Sequence, residues 1–564
     1  MRYSNLSIFC LSCFLLGHGL AVAAEPNFRF ADAGDEAGLF PALTNIAGHG
    51  AGWGDIDGDG WADLYVGTFG GKSYDSKPNQ LFRNQNGKFL LESQPAVQIP
   101  ARTTGVAFGD LDNDGDLDLY VGSMPIRADS KAAERQGVLA GCSLFRNDGG
   151  GKFTDVSAEN GACPPAFGGR SVALLDYDGD SLLDLLVGED PIPGYNGSPT
   201  ASARLFRNLG NLKFEDASRA VGLPEGIPGL GVAAADVNND GWPDFFLANG
   251  GNGNRLFLND KQGKFVEAAG SHDVFAWLNA KGDDMCCGVA IGDLNRDGLL
   301  DVVLGQHFSQ PWKQEVPNRI YLNRGLTAGV PKFEEVTDKT GFIPLPMKSP
   351  HVEIQDFDND GWPDIYFSTV KFGPKGEPHP FIFKHTGLKN GLPQFGCDVH
   401  AVNDFPSAEE LAIKGTGPFF DKMIENHRIV YMAPGPTADY NRDGKLDMLL
   451  PNWWVAGRSL LLKNETPGGH WLDVNVKGSG KLNTQGIGSR VNVYPAGKLG
   501  DASALLGCRE IAVGFGYASG QEAIAHFGLG AAEAVDIEVT LPQGLGKIEQ
   551  KNVKADQRVT LSKP

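Results

Sequence analysis

One nine-residue pattern, D-x-[DN]-x-D-[GS]-x-x-D, constrains this chain more than any other feature, because it recurs seven times. The copies are DIDGDGWAD from Asp55, DLDNDGDLD from Asp110, DYDGDSLLD from Asp176, DVNNDGWPD from Asp236, DLNRDGLLD from Asp293, DFDNDGWPD from Asp356 and DYNRDGKLD from Asp439. They recur at about 60 residues, with a longer interval before the last, and a period of that order signals a repeat architecture. The repeat, not the length of 564 residues, therefore sets the domain count.

The spacing carries the chemistry. Oxygens at positions 1, 3 and 5 of a tight turn can converge on one cation, position 7 offers a backbone carbonyl, and the Asp at position 9 closes the shell. Read this way, the side-chain donors are Asp55, Asp57, Asp59 and Asp63 in loop one, Asp110, Asp112, Asp114 and Asp118 in loop two, and Asp176, Asp178, Asp180 and Asp184 in loop three. They are Asp236, Asn238, Asp240 and Asp244 in loop four, Asp293, Asn295, Asp297 and Asp301 in loop five, Asp356, Asp358, Asp360 and Asp364 in loop six, and Asp439, Asn441, Asp443 and Asp447 in loop seven. The position-7 carbonyls belong to Trp61, Asp116, Leu182, Trp242, Leu299, Trp362 and Lys445. All donors are hard oxygens, which selects Ca²⁺ over zinc or copper; Mg²⁺ is less suited because it resists dehydration and demands a strict octahedron. Up to seven Ca²⁺ are expected. Metal-free Asp/Gly turns are the plain alternative, opposed by the repulsion of carboxylates crowded into nine residues. An EF-hand is excluded: its position 12 is a Glu, and here that position holds Val66, Val121, Val187, Leu247, Leu304, Phe367 and Leu450. Loops four, five and seven, with Asn at position 3, are expected to bind more weakly. Ser181 replaces the position-6 glycine of loop three, so its bend is expected to be strained.

The same strand order surrounds each loop. A small-residue strand precedes it (GVAFGD, SVALLD, GVAAAD, GVAIGD) and an apolar strand follows (DLYVG, DLLVG, DFFLA, DVVLG). A hairpin such as CSLFRNDGGGKFTDV or ARLFRNLGNLKFED then completes four antiparallel strands. Radial repetition of four-stranded units makes a β-propeller, so the fold expected is all-β: a seven-bladed propeller plus a small C-terminal β-sandwich-like domain. The seventh unit lacks an evident fourth strand. The segment NFRFADAGDEAGL at 27–39 resembles the other fourth strands and is expected to close the ring; HWLDVNV, from His470, is the alternative. The expected domains are a signal peptide at 1–24, a propeller at 25–465 and a β domain at 466–564.

Residues 1–24 carry Arg2, an apolar run and small residues Ala21, Ala23 and Ala24, the mechanics of a cleavable secretory signal. A secreted or periplasmic home follows. The net charge of −20 argues against nucleic acid as a partner, since phosphate binding needs a surplus of Lys and Arg. Six cysteines remain after the signal, and the spacing favours Cys142 with Cys163 as a local pair without deciding the connectivity.

These loops and strands resemble the FG-GAP/VCBS repeat family, related to the integrin α-chain propeller, in which DxDxDG loops bind calcium between the first and second strands. The segments GGHWLDVNVKGSGKLNTQGIGSRVNVY, GCREIAVGFGYASGQEAIAHFGLG and VDIEVTLPQG resemble the ASPIC/UnbV domain. The combination resembles the cartilage acidic protein family of secreted proteins. Arg490, Tyr517, Ser519 and His526 are the polar residues of those segments, with no role read for them. The leading reading of the chain is a calcium-stabilised binding or adhesion scaffold for a protein or glycan, with no membrane span; the extracellular-matrix role of the animal proteins does not transfer, since this chain lacks their Cys-rich EGF-like module. The ligand face would be the one carrying long irregular connections, where Tyr195, His307, Trp312, Glu315, His351, His379 and His400 fall. The alternative is a polysaccharide-active lyase or hydrolase on that same face; the sequence gives no catalytic residue for it.

Overall fold

The computed structural model describes residues 27–69, 77–124, 141–165, 167–189, 201–249, 253–277, 285–308, 315–372, 381–397, 429–454 and 457–563. The signal segment, Tyr195, Trp312, His379 and His400 lie outside these residues.

Seven antiparallel sheets follow one plan, numbered here by the acidic loop each carries. In sheet one, Gly48–Gly54, Asp63–Thr68, Gln80–Gln85 and Lys88–Leu91 pair in chain order, and the acidic loop joins the first two strands. Sheets two to six repeat this order, with first strands at Thr103–Gly109, Gly169–Leu175, Gly231–Ala235, Cys286–Gly292 and Val352–Gln355. Sheet seven takes Thr437–Ala438, Asp447–Leu450 and Leu460–Asn464 from late in the chain and Phe30–Asp32 from its start, in register Phe30 with Asn464 and Asp32 with Leu462. His470–Lys477 pairs instead with Ile524–Gly530 and Gln557–Ser562. The protein is an all-β propeller.

The small-residue first strands have a packing cause. They line the axis, where neighbouring backbones approach closely. A Cβ on Gly231 would stand 1.5 Å from the Cys287 carbonyl, and one on Gly288 would stand 2.2 Å from the Pro350 carbonyl. The apolar second strands are buried on both faces, because each is sandwiched between sheets.

A hydrogen-bonded strap ties each sheet to its predecessor. The residue at the Asn position of the LFRN-type motif in the third strands sends its side-chain N–H to a loop carbonyl of the preceding sheet. Asn147 donates to Ile56 at 2.8 Å, Asn208 to Leu111 at 2.6 Å, Asn259 to Tyr177 at 2.9 Å and Asn323 to Val237 at 2.9 Å. His385 takes the role in sheet six, its Nε2 lying 3.1 Å from the Leu294 carbonyl. Asn464 of sheet seven donates to Phe357 at 2.8 Å, and Asn84 of sheet one donates to Tyr440 at 2.8 Å, so the series closes on itself. Apolar packing of Trp53 and Leu64 against Leu449 and Leu461 supports the same seam.

The C-terminal residues form two further sheets. His470–Lys477 lies between Ile524–Gly530 and Gln557–Ser562, while Arg490–Pro495 and Ala534–Leu541 are flanked by Gly507–Glu510 and Gly546–Lys554. Leu472, Val474, Val491, Val493, Ile537 and Val539 fill the space between them. The alternation of WLDVNV and VDIEVT is that of strands with one buried face. Cys142 and Cys163 are thiols in this structure.

Candidate functional site

Each acidic loop is held in shape by its own backbone N–H groups. In loop one the position-1 carboxylate of Asp55 accepts from Asp59 N–H at 3.0 Å and Gly60 N–H at 2.9 Å, and Asp59 Oδ1 accepts from Trp61 N–H at 2.9 Å. The last of these bonds recurs at the other position-7 residues, Asp116, Leu182, Trp242, Leu299, Trp362 and Lys445. Positions 4 and 6 are left-handed throughout. Gly60 has φ of 89° where loop three carries Ser181 at 73°, a conformation that costs a non-glycine residue roughly 1–2 kcal/mol. The position-9 Asp is buried and spans two strands: Asp63 Oδ2 accepts from Ile56 N–H at 2.9 Å, and its Oδ1 accepts from Asn84 N–H at 2.6 Å.

The structure brings three carboxylates together in four loops. Oxygens of Asp55, Asp57 and Asp63, of Asp110, Asp112 and Asp118, of Asp176, Asp178 and Asp184, and of Asp356, Asp358 and Asp360 lie within 4.8 Å of one another. Oxygens bound to one Ca²⁺ can stand no further apart than twice the metal–oxygen distance, about 5 Å. Among the described residues, loops four, five and seven, with Asn at position 3, form no such triad of acids. In loops five and seven that Asn turns its amide to position 5, Asn295 to Asp297 at 2.9 Å and Asn441 to Asp443 at 3.1 Å.

Two observations test whether a hard cation fits. Asp112 Oδ1, Asp358 Oδ1 and Asp447 Oδ2 are buried acceptors without a hydrogen-bond partner among the described residues. Burial, then neighbouring carboxylates acting against the backbone hydrogen bonds, pushes Asp63 and Asp118 up to about 8. An anionic cluster so disfavoured fits the donor set of an ion of opposite charge.

The basic residue beside the strap in sheets one, three and six was not read from the sequence, although LFRN repeats there. Arg83 pairs with Asp57, Arg207 with Asp178 at 2.7 Å, and Lys384 with Asp358. Where position 3 is Asn238 or Asn295, the equivalent third-strand residue is Leu258 or Leu322. The charge pattern is not uniform: Lys261 lies 3.4 Å from Asp240 in loop four, and in sheet two the equivalent Arg146 pairs with Asp148. Loop seven, with Asn441 and the third-strand Lys463, departs from the pattern. Adjacent loops also touch: the guanidinium of Arg296 lies 3.6 Å from the Trp362 ring centroid, and that of Arg442 lies 5.2 Å from the Trp61 centroid.

The C-terminal domain covers this acidic face. Thr484 Oγ1 donates to Asp110 Oδ2 at 2.5 Å, Gln543 N–H donates to the Gly241 carbonyl at 2.7 Å, and Gly530 N–H donates to the Asn359 carbonyl at 2.9 Å. Two of the four polar residues left without a role in the sequence are found here. Arg490 bonds the Asp236 carbonyl and Glu510, and His526 bridges Asp473 at 2.8 Å and Asn359 at 2.9 Å. A cavity of about 70 Å³ remains in the seam beside Asp293, Arg509 and Glu510, room for a few waters.

The other two sit on a segment, 513–521, that runs into the propeller axis. Leu174 N–H donates to the Val513 carbonyl at 3.3 Å, Gly516 exchanges backbone bonds with Val289 at 2.8 and 2.9 Å, and Ser519–Gly520 joins sheet one as a parallel strand against Ala51–Gly52. Tyr517 is buried with Leu230, Cys287, Val370 and Ala433, and its hydroxyl meets the Arg170 guanidinium. His351, placed by sequence on an irregular loop, instead lies against this plug. Its Nδ1 accepts from Tyr517 N–H at 3.1 Å, which leaves the proton on Nε2, 3.1 Å from Glu353 Oε1; Ser519 Oγ is 3.3 Å from Nδ1. Burial would raise the Glu353 carboxyl, but hydrogen bonds from His351, Thr437 and Gln355 hold it below the usual range. His351 and Glu353 are fully buried, so this serine, histidine and glutamate hold the plug in place.

The FG-GAP-like repeat matches residues 55–121, 195–247 and 236–304, and the ASPIC and UnbV domain matches 478–564. The chain carries FG-GAP-like repeats followed by an ASPIC and UnbV domain. It is similar to Cartilage acidic protein 1 of Xenopus tropicalis, 26% identical over 514 residues covering 87% of this chain and 69% of that protein. The Homo sapiens protein of the same name is 26% identical over 530 residues, 89% and 70%. Among solved structures, Trypanosoma rangeli sialidase aligns at TM-score 0.36 and 11% identity, covering 90% of this chain and 88% of that one. Bacillus licheniformis rhamnogalacturonan lyase PL11 aligns at 0.36 and 14%, covering 75% and 71%. Among the described residues, no helix is long and apolar enough to cross a membrane.

Proposed function

We propose that this chain is a secreted or periplasmic calcium-stabilised scaffold that binds a protein or glycan on the face opposite its acidic loops. In this reading Ca²⁺ is held at positions 1, 3, 5 and 9 and by the position-7 carbonyl of each loop, and its work is structural: it neutralises the cluster and ties the first strand to the second. The observation that carries the reading is the convergence of acidic triads at calcium spacing on a face that the C-terminal domain then covers. The opposite face is left for a ligand. The similarity to Cartilage acidic protein 1 supports the same reading.

An enzyme acting on polysaccharide is the second reading. It is favoured by the Ser519, His351 and Glu353 arrangement and opposed by the burial of all three. Immobilised full-length chain, screened on a glycan array with calcium and with chelator, tests the first reading. Calcium-dependent retention without change in the glycan is expected; cleavage of a bound glycan would favour the enzyme.

A further inference from the structure

The C-terminal domain hydrogen-bonds to three acidic loops at the left-handed residues that close their bends. In loop two Asn113, at position 4 with φ of 60°, accepts from Thr484 N–H on its Oδ1 at 3.3 Å. In loop four Gly241, at position 6 with φ of 86°, accepts from Gln543 N–H on its carbonyl at 2.7 Å. In loop six Asn359, at position 4 with φ of 53°, accepts from Gly530 N–H on its carbonyl at 2.9 Å. These backbone conformations wind the loop around its centre, so a loop that unwound would carry the acceptors out of reach.

In loop two the contact reaches the carboxylates themselves. Thr484 Oγ1 donates to Asp110 Oδ2 at 2.5 Å, and Gln485 Oε1 accepts from Asp110 N–H at 2.9 Å. Gly115 N–H fills the second acceptor site of Oδ2 at 2.9 Å, and Asp114 N–H takes one site of Oδ1 at 3.0 Å. A carboxylate oxygen offers two such sites, so one on Oδ1 is left among the described residues. Asp112 Oδ1, in the same triad, is a buried acceptor with no hydrogen-bond partner among the described residues. The turn that carries Thr484 is also bound to the base of the plug. Gly488 N–H donates to the Ile511 carbonyl at 2.9 Å and Ile511 N–H to the Ser489 carbonyl at 2.9 Å, while Leu482, Ile487 and Val513 share one core.

We propose that Thr484 is a positioning residue of the loop-two cation site, so that filling this site and seating the C-terminal domain with its plug form one coupled equilibrium. The Thr484 hydroxyl fixes the Asp110 carboxylate for the ion, and the ion holds that carboxylate under the hydroxyl; a coupling of this kind is reciprocal. Without an ion, Asp110, Asp112 and Asp118 repel one another, and a loop that relaxes breaks its bonds to Thr484 and Gln485 together. A fall in calcium would thus release the 513–521 plug before the sheets unfold. This inference rests on the calcium reading and adds a regulatory consequence to it.

The test is hydrogen exchange of the full-length chain across a calcium titration, with bound ions counted at each step by native mass spectrometry. Exchange of the 513–521 amides is expected to rise about tenfold as the loop-two ion leaves, with the second-strand amides of the sheets still protected. Thr484→Val should weaken one ion about tenfold and move the plug transition to correspondingly higher calcium, while Thr484→Ser, which keeps the hydroxyl, stays close to the native chain. Asp112→Asn, which removes the loop-two ion with Thr484 untouched, should free the plug at calcium concentrations that keep the other loops filled; it serves if Thr484→Val does not fold. Calcium uptake with plug protection unchanged in Asp112→Asn would overturn the coupling and leave the calcium reading standing. Thr484→Val indistinguishable from Thr484→Ser would overturn the role of the hydroxyl. No calcium taken up at millimolar concentration would overturn the calcium reading and this inference together.

Discussion

Chelating calcium from the full-length chain is expected to lower its melting temperature by about 3–10 °C. Extracellular-type oxygen sites bind Ca²⁺ with dissociation constants of about 10⁻⁴–10⁻³ M. At about 1 mM calcium each site then contributes roughly 0.4–1.4 kcal/mol, and seven together about 3–10 kcal/mol. A chain of this size unfolds with an entropy near 1 kcal/mol per degree, so each kilocalorie moves the midpoint by about 1 °C. The effect is expected to be large because an ion there would act where the carboxylates crowd most closely. In sheet one it would relieve Asp55, Asp57 and Asp63 of mutual repulsion at the corner between first and second strands. Differential scanning calorimetry with EDTA against calcium-saturated protein measures it. An unchanged midpoint would mean that Arg83, Arg207 and Lys384 already supply the charge these corners need.

Gly514→Ala is expected to unseat the plug at a cost of about 3 kcal/mol or more. Gly514 has φ of 82°, and a Cβ there would stand 1.8 Å from the Val172 carbonyl oxygen, a backbone atom with nowhere to go. Gly480→Ala is the matched control. Its φ is 67° and nothing lies within 4 Å of the added carbon, so it should cost only the local strain, about 1 kcal/mol. Native-state hydrogen exchange of the 513–521 amides reads the difference. In Gly514→Ala their protection should be lost before that of the sheets, since Tyr517 would leave its cluster with Leu230, Cys287, Val370 and Ala433. Retained protection would show that the axial segment is not locked by these contacts.

The sequence made the repeating unit legible because its cause is local. Aspartates two residues apart, a glycine at the bend and alternating apolar strands act within nine to about sixty residues. The straps were visible as the Asn of LFRN but not interpretable, since their acceptors, such as Tyr440 for Asn84, lie in another repeat. The same holds for Tyr517 and Ser519. The glycines of GFGYASG allow backbone to pass backbone inside a channel. His351 was misplaced for a related reason. It immediately precedes the first strand of sheet six, where a small residue stands in most other repeats, and it is accommodated because Gly516 of the plug lies against it. Between 82 and 356 residues along the chain separate these partners, and periodicity carries no information about them.

The central claim is that the acidic loops are cation sites, and counting ions tests it most directly. Native mass spectrometry of the intact chain across a calcium titration is expected to reach seven Ca²⁺, with the loops of Asp55, Asp110, Asp176 and Asp356 the last to empty as free calcium falls. Asp112→Asn should remove the ion of loop two first while leaving the remaining count intact. A chain that takes up no calcium at millimolar concentration, or whose count is unchanged by Asp112→Asn at every concentration, would contradict the account.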